Sequence, residues 1–490
     1  MRYLIFGIFL FIVIGCKDRS TPETTKYYKT ISDYCASFPD STELSLAIIN
    51  GNEVSYFGYI KTSDSLIQVN NHENNFAIGS ISKLFTTTLL AKLVTDSIIN
   101  IDETIESHLG FKLNQSGYDN SRITFKSLAN HTSGFPTLPN DYIDLYVKYK
   151  TYDTVYLQNY LENKLQLINE PRSEWSYSNL AYTTLGYIME KKQRSSYEEL
   201  LQKVICDKYG LKNTTTDYSS IKNNVISGRD SLGNIVSHFD LGIYNASGGI
   251  YSNVTDLSKY IQANFNTDII LDYQKQETYR SENNRMALGW QIPNFGGENC
   301  SWYFHGGGLE GYKSSCIMNC EVKCGIVILS NVTTWHKDAD NIGRLAFELI
   351  KQEYIQLEND DECASSFLEI ALKKGWGKAR SDSLIQHQTN HNSIVGAWQH
   401  YVNNRNVTIT FFQDNKMQTD FYQDSEIDVW GNYEINDKEI TFRDIGGAAC
   451  RTKGVYEYEI IGDTLKFKEI SDNCNGRKSS YLLDWVRVKQ

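Results

Sequence analysis

The most constraining feature of this sequence is a change in hydrophobic periodicity near residue 394. Before it, apolar segments with helical spacing alternate with short strand-like segments. After it, short runs such as NVTITFF and VYEYEI alternate with period two and are separated by turn residues. An acidic break, ENDDE at residues 358–362, lies between the two patterns. We therefore predict a mixed α/β (α+β) domain at residues 30–352, a linker at 353–393 and a small all-β, barrel-like domain at 394–490.

The composition supports folded domains and excludes one class of partner. The chain has 490 residues, of which 41% are hydrophobic and 13% aromatic, so the cores can be substantial. Lys and Arg total 48 and Asp and Glu total 59, which gives a formal charge of -11. Nucleic-acid binding needs a basic surface, and no Lys/Arg cluster provides one. We predict no nucleic-acid partner.

The N-terminus has the pattern of an export signal. A positive residue, Arg2, precedes the apolar segment 4–14, which is too short to span a bilayer. Gly15 and Cys16 follow and lead into a polar segment. This arrangement resembles a bacterial lipobox, although an ordinary cleaved signal is the alternative. The resemblance implies a signal peptide at residues 1–15, lipidation of Cys16, a tether at 16–29 and a lipid-anchored protein of the bacterial cell envelope, facing the periplasm or the outside.

Nine further cysteines would be exposed to an oxidising compartment. Three of them, Cys316, Cys320 and Cys324, could be metal ligands, but their spacing does not match a zinc CxxC pair. A disulfide or simple packing on a hairpin fits these three better, and we predict no metal site. In the C-terminal segment we predict a disulfide between Cys450 and Cys474, which belong to one β module.

Several secondary-structure elements can be predicted directly. Residues 43–60 contain two strand-like runs around Asn50-Gly51, which predicts a hairpin. The segment Phe76–Val94 predicts a helix with one buried face. Further helices are expected at 180–189, 256–261 and 344–355, and a buried strand at 323–330.

Ser80 and Lys83 form the first candidate catalytic pair. Residues three apart lie on one face of a helix, so the Ser80 hydroxyl and the Lys83 amine can meet. A serine is a weak nucleophile until a base takes its proton, and a half-buried lysine with a lowered pKa can be that base. Ser219 and Lys222 have the same spacing, but they lie in a polar segment. The apolar segment that follows Ser80 favours the first pair.

Two other motifs could complete a site. Tyr177-Ser178-Asn179 lies at a predicted turn before a helix, where a phenol can relay a proton and an amide can bind a substrate. His305 is followed by three glycines, and a side-chain-free backbone allows close approach of a ligand to its N–H groups.

In this order, Ser80, Tyr177 and His305 resemble the serine β-lactamase and penicillin-binding family in its class C and DD-peptidase-like branch. Flanking segments agree, including LANHTSGFP, ASGGIYSNVTDLSKYI and GIVILSN. The resemblance implies an antiparallel sheet flanked by helices, plus a helical region, with the site between them. It also implies four catalytic residues: Ser80 as nucleophile, Lys83 as base, Tyr177 as proton relay and His305 in the third-motif position. Three further residues would contact the substrate, namely Asn179, Gly307 and Gly308. The N–H groups of Ser80 and Gly308 would form the oxyanion hole.

Two departures affect the expected substrate. Penicillinases usually have Lys-Thr-Gly where this chain has His305 and glycines, so an ammonium beside the substrate carboxylate becomes an imidazole. The Pro-Gly often found before the tyrosine motif is Pro171-Arg172 here. We expect a serine hydrolase that needs no cofactor and acts on D-amino-acid peptides, small esters or small amides. A true β-lactamase and a non-turnover sensor of β-lactams or peptidoglycan are the alternatives.

The C-terminal domain, which begins Gly396-Ala397-Trp398, resembles lipocalin-like modules.

Overall fold

The computed structural model describes residues 22–355 and 394–487, apart from short gaps at 64, 115–116, 140–152, 239, 282–283, 294–301, 403–404, 412–415, 421–428, 448–452, 473–481 and 483. The strands before residue 356 are β1 Glu43–Asn50, β2 Glu53–Lys61, β3 Leu66–Gln68, β4 Phe76–Ala77, β5 Tyr251–Ser252, β6 Tyr279–Arg280, β7 Arg285–Met286, β8 Trp302–Leu309, β9 Tyr312–Asn319 and β10 Cys324–Ser330.

The α-helices of the same region are α1 Pro22–Cys35, α2 Ser82–Thr95, α3 Glu106–Leu109, α4 Phe125–Ala129, α5 Thr154–Asn163, α6 Asn179–Gln193, α7 Tyr197–Leu200, α8 Asp207–Tyr209, α9 Tyr218–Ile221, α10 Asn245–Gly248, α11 Val254–Asn264, α12 Ile269–Gln274 and α13 Asn341–Ile355. Among the residues described, no helix combines the length and apolarity needed to cross a membrane.

A six-stranded antiparallel sheet in the order β3-β2-β1-β10-β9-β8 organises this region. Successive side chains of a strand point to opposite faces. In β1, Leu46 and Ile48 pack with α1 and α13, whereas Ala47 and Ile49 join the core that contains α2, α6 and α11. Both faces are therefore covered, which explains the nearly continuous apolar sequences of β1 and β10. The expected sheet flanked by helices is confirmed.

The hairpin between β1 and β2 is confirmed, with a small shift in its turn. Asn50 pairs with Glu53, so the two turn residues are Gly51 and Asn52 rather than Asn50 and Gly51. Gly51 has a φ of 58°, a left-handed conformation that costs glycine little.

Helix α2 differs from the predicted helix in its start and in its burial. The chain first forms β4 and a 3-10 turn at Gly79–Ile81, and α2 begins at Ser82. Every residue from Ser82 to Ala91 is buried, not only one face. The threonines tolerate this position because their hydroxyls bond to carbonyls, as Thr88 does to Leu84 at 2.9 Å. The prediction of a single buried face was wrong because α6, α10 and α12 all pack on this helix.

Residues assigned to the tether take part in the fold. Residues 22–29 belong to α1, which packs on α13 near the sheet. Lys26 Nζ lies 2.6 Å from Glu353 Oε1, and the Tyr27 hydroxyl also donates to that carboxylate. Helix α13 continues to Ile355, which moves the start of the predicted linker beyond residue 353. Residues 1–21, with the predicted signal and Cys16, lie outside the described residues.

The described residues after 394 form a closed antiparallel barrel of eight strands. Pairing of Trp398 with Arg487 closes it. Buried rings, among them Phe411, Phe442 and Phe467, pack against one another inside. The strands are β11 Gly396–Val402, β12 Arg405–Phe411, β13 Lys416–Asp420, β14 Val429–Asn436, β15 Glu439–Gly447, β16 Lys453–Ile461, β17 Thr464–Asp472 and β18 Trp485–Arg487. The barrel-like domain is confirmed, whereas its lipocalin likeness stays a prediction. Cys450 and Cys474 lie outside the described residues.

Candidate active site

Ser80 lies in the 3-10 turn immediately before α2, half-buried beside strand β8. The preceding Gly79 has a φ of 52°, and a Cβ on it would lie 2.6 Å from Gly308 N. Both constraints require glycine, because a side chain would be strained and would displace β8. Ser80 and Lys83 still share one side of the chain, although Ser80 precedes the regular helix.

Lys83 is completely buried, and its amine contacts three oxygen atoms. Its Nζ lies 3.0 Å from Ser80 Oγ, 2.7 Å from Asn179 Oδ1 and 2.6 Å from the Ser247 carbonyl. Burial lowers the pKa of this amine well below its usual range. None of the three contacts is a carboxylate, so no negative charge among them offsets the desolvation. A neutral amine next to a hydroxyl is able to accept its proton.

Tyr177 completes the surroundings of Ser80. Its hydroxyl donates to Ser80 Oγ at 2.5 Å, and its ring centroid is 4.9 Å from the Lys83 amine. The tyrosine is positioned by the start of α6, where the Ser178 hydroxyl caps the helix by accepting from Ala181 N at 2.9 Å. Ser80, Lys83, Tyr177 and Asn179, predicted from separate motifs, therefore meet in one cluster.

The wall behind Tyr177 contains His131, a residue of the LANHTSGFP segment. The His131 ring lies 4.6 Å from the Tyr177 ring and accepts a hydrogen bond from Ser178 N at 3.1 Å. Arg172 has a φ of 69°, so it occupies the left-handed conformation that the more usual glycine would adopt there.

His305 is buried in strand β8, so its imidazole contacts protein atoms rather than solvent. Its Nδ1 lies 2.7 Å from the Gly306 carbonyl. Burial, with a contribution from the Lys83 charge, lowers the pKa of His305 to about 3, so the ring is neutral at physiological pH. It cannot replace the ammonium of a Lys-Thr-Gly motif.

The glycines after His305 serve close packing as well as exposure of the backbone. A Cβ on Gly307 would lie 2.1 Å from the Ile78 carbonyl, and one on Gly308 would lie 2.3 Å from Thr334 Oγ1. Gly306 has only ordinary contacts, the nearest at 3.6 Å. Gly307 thus allows β8 to lie against the turn that carries Ser80, and Gly308 allows the strand to pack closely on Thr334.

The backbone of β8 can supply an oxyanion hole. This strand is at the edge of the six-stranded sheet, and Phe304 N donates to Gln291 O at 2.9 Å, away from β9. N–H groups two residues apart point to the same side of a strand, so the Gly308 N–H also points away from β9. Gly79 contacts Gly308 there, which brings the Ser80 and Gly308 N–H groups close together.

The second serine–lysine pair and the cysteine cluster show no catalytic arrangement. Ser219 is exposed, and its hydroxyl donates to Asp217 at 2.5 Å. Cys316 and Cys320 are free thiols, and burial raises their pKa, which makes them less reactive. Within the described ranges, no group of His, Cys, Asp or Glu side chains could hold a metal ion. The predicted packing of this cluster on a hairpin accounts for its cysteines.

Two contacts of the site were missed in the sequence. The Ser247 carbonyl binds Lys83, and Ser314 Oγ donates to the Ile78 carbonyl at 2.8 Å, which links β9 to the Ser80 turn. Backbone carbonyls carry no sequence signal, and serine is too common to mark such a position.

Comparisons with known proteins agree on this region. The sequence model of the Beta-lactamase family matches residues 36–351. Protein flp of Staphylococcus aureus strain MW2 is 26% identical over 281 residues, which are 53% of each chain. The chain therefore spans about half the length of the curated relatives it matches.

Two solved structures share the fold. A β-lactamase/D-alanine carboxypeptidase from Pseudomonas syringae aligns with a TM-score of 0.56 and 18% identity, over 67% of this chain and 97% of that one. An octameric penicillin-binding protein homologue from Pyrococcus abyssi aligns with a TM-score of 0.58 and 19% identity, over 91% of this chain and 98% of that one. The second alignment is long enough to include barrel residues.

The glycine packing gives a matched pair of substitutions. Gly307→Ala pushes β8 away from the Ser80 turn, whereas Gly306→Ala has room for its methyl group. We expect Gly307→Ala to lower the rate of serine acylation at least about a hundredfold, since small displacements of reacting groups have effects of that size. Gly306→Ala should stay within about threefold of wild type. Labelling with a fluorophosphonate measures both rates, and equal rates in the two variants would show that the close packing is unimportant.

Proposed function

This chain belongs to the β-lactamase family, and on that premise we propose that it is a serine hydrolase that forms an acyl-enzyme at Ser80. One observation carries the proposal. Ser80 Oγ lies within hydrogen-bonding distance of both Lys83 Nζ and the Tyr177 hydroxyl, at 3.0 and 2.5 Å. A nucleophile in contact with a buried amine and a phenol has both a base and a proton relay.

The proposed reaction has two steps. Lys83 takes the Ser80 proton while Oγ bonds to the substrate carbonyl carbon, and the N–H groups of Ser80 and Gly308 stabilise the oxyanion. The C–N or C–O bond of the leaving group then breaks, and the leaving group receives a proton through Tyr177. Water attacks the acyl-enzyme, gives up its proton to the same groups and releases the acid and the serine.

The substrates we propose are D-amino-acid peptides, small esters or small amides. One consideration supports this choice over a dedicated β-lactamase, and another shows that the fold accommodates it. The neutral His305 provides no ammonium for the carboxylate of a β-lactam. A fold neighbour is described as a β-lactamase/D-alanine carboxypeptidase, so the fold is compatible with peptidase chemistry. A sensor that acylates and stalls is the alternative from another class, and a burst of product without turnover would identify it.

The nucleophile can be tested with a matched pair of serine variants. Ser80→Ala should lower hydrolysis of a nitrophenyl ester at least about 10³-fold, because a catalytic group that acts as part of a unit cannot be compensated by its neighbours. Ser219→Ala, which changes the other serine–lysine motif, should leave the rate for nitrophenyl acetate unchanged. A fluorophosphonate should label wild type and Ser219→Ala but not Ser80→Ala. Label on Ser219, or on no serine, would refute the proposal.

Substitution of His305 tests the substrate class. His305→Lys adds an ammonium at the position where penicillinases have one, and charged hydrogen bonds are strong enough to raise acylation by a β-lactam about tenfold. Hydrolysis of a neutral ester should change little. His305→Gln, which stays neutral, is the control. If both activities of His305→Lys fall together, His305 only supports the strand.

The location of the protein is a separate part of the proposal. We infer that Cys16 carries a lipid that anchors the chain at the bacterial envelope. Full-length protein expressed in a bacterial host should fractionate with membranes, and Cys16→Ser should not. Membrane association of Cys16→Ser, together with the absence of lipid on the wild-type cysteine by mass spectrometry, would contradict the anchor.

A further inference from the structure

A cavity of about 450 Å³ lies next to the cluster around Ser80. Its lining includes residues that lie close to that cluster along the chain. Leu309 lines the cavity and directly follows Gly308, while Ala77 lines it three residues before Ser80. Asn245 lines it from α10, the helix whose Ser247 carbonyl binds Lys83. Gly248 of that helix lies between Gly79, which precedes Ser80, and Leu241, which lines the cavity: an added Cβ would be 3.9 Å from both Gly79 C and Leu241 Cδ1. Helix α10 therefore contacts both the site and the cavity.

Aromatic rings held by hydrogen bonds line one part of the cavity. The Tyr218 and His238 rings are nearly parallel, at 8°, with centroids 3.6 Å apart. His238 Nδ1 lies 2.7 Å from the Tyr251 hydroxyl, and the Tyr312 hydroxyl donates to the Ile226 carbonyl at 2.7 Å. Rings fixed in this way lose little freedom when a ligand binds against them.

The charged side chains of the lining are mostly acidic. Asp217, Asp240 and Glu310 are carboxylates, and Lys222 is the single Lys or Arg among the lining residues. Hydrogen bonds from Ser219 lower the pKa of Asp217, which keeps it ionised. Tyrosine rings and carboxylates both attract a cation, so the two parts of the lining favour the same chemistry.

The direction of strand β8 indicates which part of a substrate would reach the cavity. His305 is near one end of the strand, and Leu309 is at the other end, with Gly308 between them. The carbonyl oxygen lies at the Gly308 N–H in the proposed function, and we place the leaving group on the His305 side of it. The acyl part then extends past Leu309 into the cavity.

We propose that this cavity binds a positively charged amino group on the acyl part of the substrate, next to Tyr218, Asp217 and Asp240. The inference rests on the proposed function, because it names the class of acyl group that the same site accepts. The enzyme then prefers acyl donors with a free amine at a distance from the scissile carbonyl over the same donors with that amine blocked.

Two esters that differ only in charge test the preference. The nitrophenyl ester of 6-aminohexanoate has a free ammonium, and its N-acetyl derivative does not. We expect wild type to hydrolyse the free-amine ester with a kcat/KM about tenfold higher. Nitrophenyl acetate, which is too short to reach the cavity, provides the reference rate.

The chain offers a closely matched control for Asp217. Asp217 accepts from the backbone N–H and the hydroxyl of Ser219, and Asp119, outside the cavity, accepts in the same way from Ser121. Asp217→Asn and Asp240→Asn should each lower the preference about threefold, as expected for exposed ion pairs, and Asp119→Asn should leave it unchanged. Ser237→Trp, which fills part of the cavity, should raise KM for the aminohexanoate ester but not for the acetate ester.

The outcomes separate this inference from the proposed function. Equal rates for the two long esters, or equal effects of Asp217→Asn and Asp119→Asn, would overturn the cavity assignment while Ser80 chemistry stands. If none of the esters is hydrolysed and Ser80 is not labelled, the proposed function fails instead. Calorimetry with 6-aminohexanamide then tests amine binding in the cavity independently of catalysis. Binding to wild type that weakens in Asp217→Asn and not in Asp119→Asn supports the cavity assignment. No binding to wild type refutes it.

Discussion

Burial of the Lys83 amine is the constraint on which the rest of the structure depends. An ammonium in a protein interior is strongly disfavoured, so the amine tends towards its neutral form, which is the form able to accept a proton. Maintaining that state requires α2 to be enclosed on all sides and the amine to have polar partners without a carboxylate. Helices α6, α10 and α12 pack on α2 and provide that enclosure. Ser80, Asn179 and Ser247 supply the oxygen atoms.

Close packing of backbone is the second requirement. The Ser80 turn and strand β8 approach within a distance that Cβ atoms at Gly79 or Gly307 would prevent. Glycine costs conformational entropy in a strand, so its use at these positions indicates that the contact itself matters. The result places the N–H groups of two distant segments beside one nucleophile without a side chain between them.

The neutral His305 and the acidic cavity are expected to contact opposite ends of a substrate. At one end of β8, a buried imidazole without charge lies where a family penicillinase has an ammonium, which weakens recognition of a carboxylate. Beyond the other end, tyrosine rings and carboxylates line a cavity next to α10. Together these features shift the expected substrate from an anionic β-lactam towards an acyl donor with a free amine.

Much of this protein could be predicted from local sequence patterns. The period-two segments predicted the barrel, the alternating runs at 43–60 predicted the β1–β2 hairpin, and the spacing of Ser80 and Lys83 predicted their contact. Each of these depends on residues a few positions apart, and such spacing directly sets which side chains share a face. The resemblance of three short motifs was sufficient to select Tyr177, Asn179 and His305 from a chain with 33 tyrosines.

What the tertiary structure alone decided depends on contacts between distant segments. The approach of the Ser247 carbonyl to Lys83 joins residues 164 positions apart, and the packing of His131 on Tyr177 joins residues 46 positions apart. Complete burial of α2 depends on distant segments too, as the bond from Gln274 Nε2 to the Leu84 carbonyl shows. The start of α1 inside the presumed tether is decided in the same way, since Lys26 and Tyr27 meet Glu353. Periodicity reports whether a segment has a buried face but not what covers it, because burial and pKa depend on all the groups that surround a side chain.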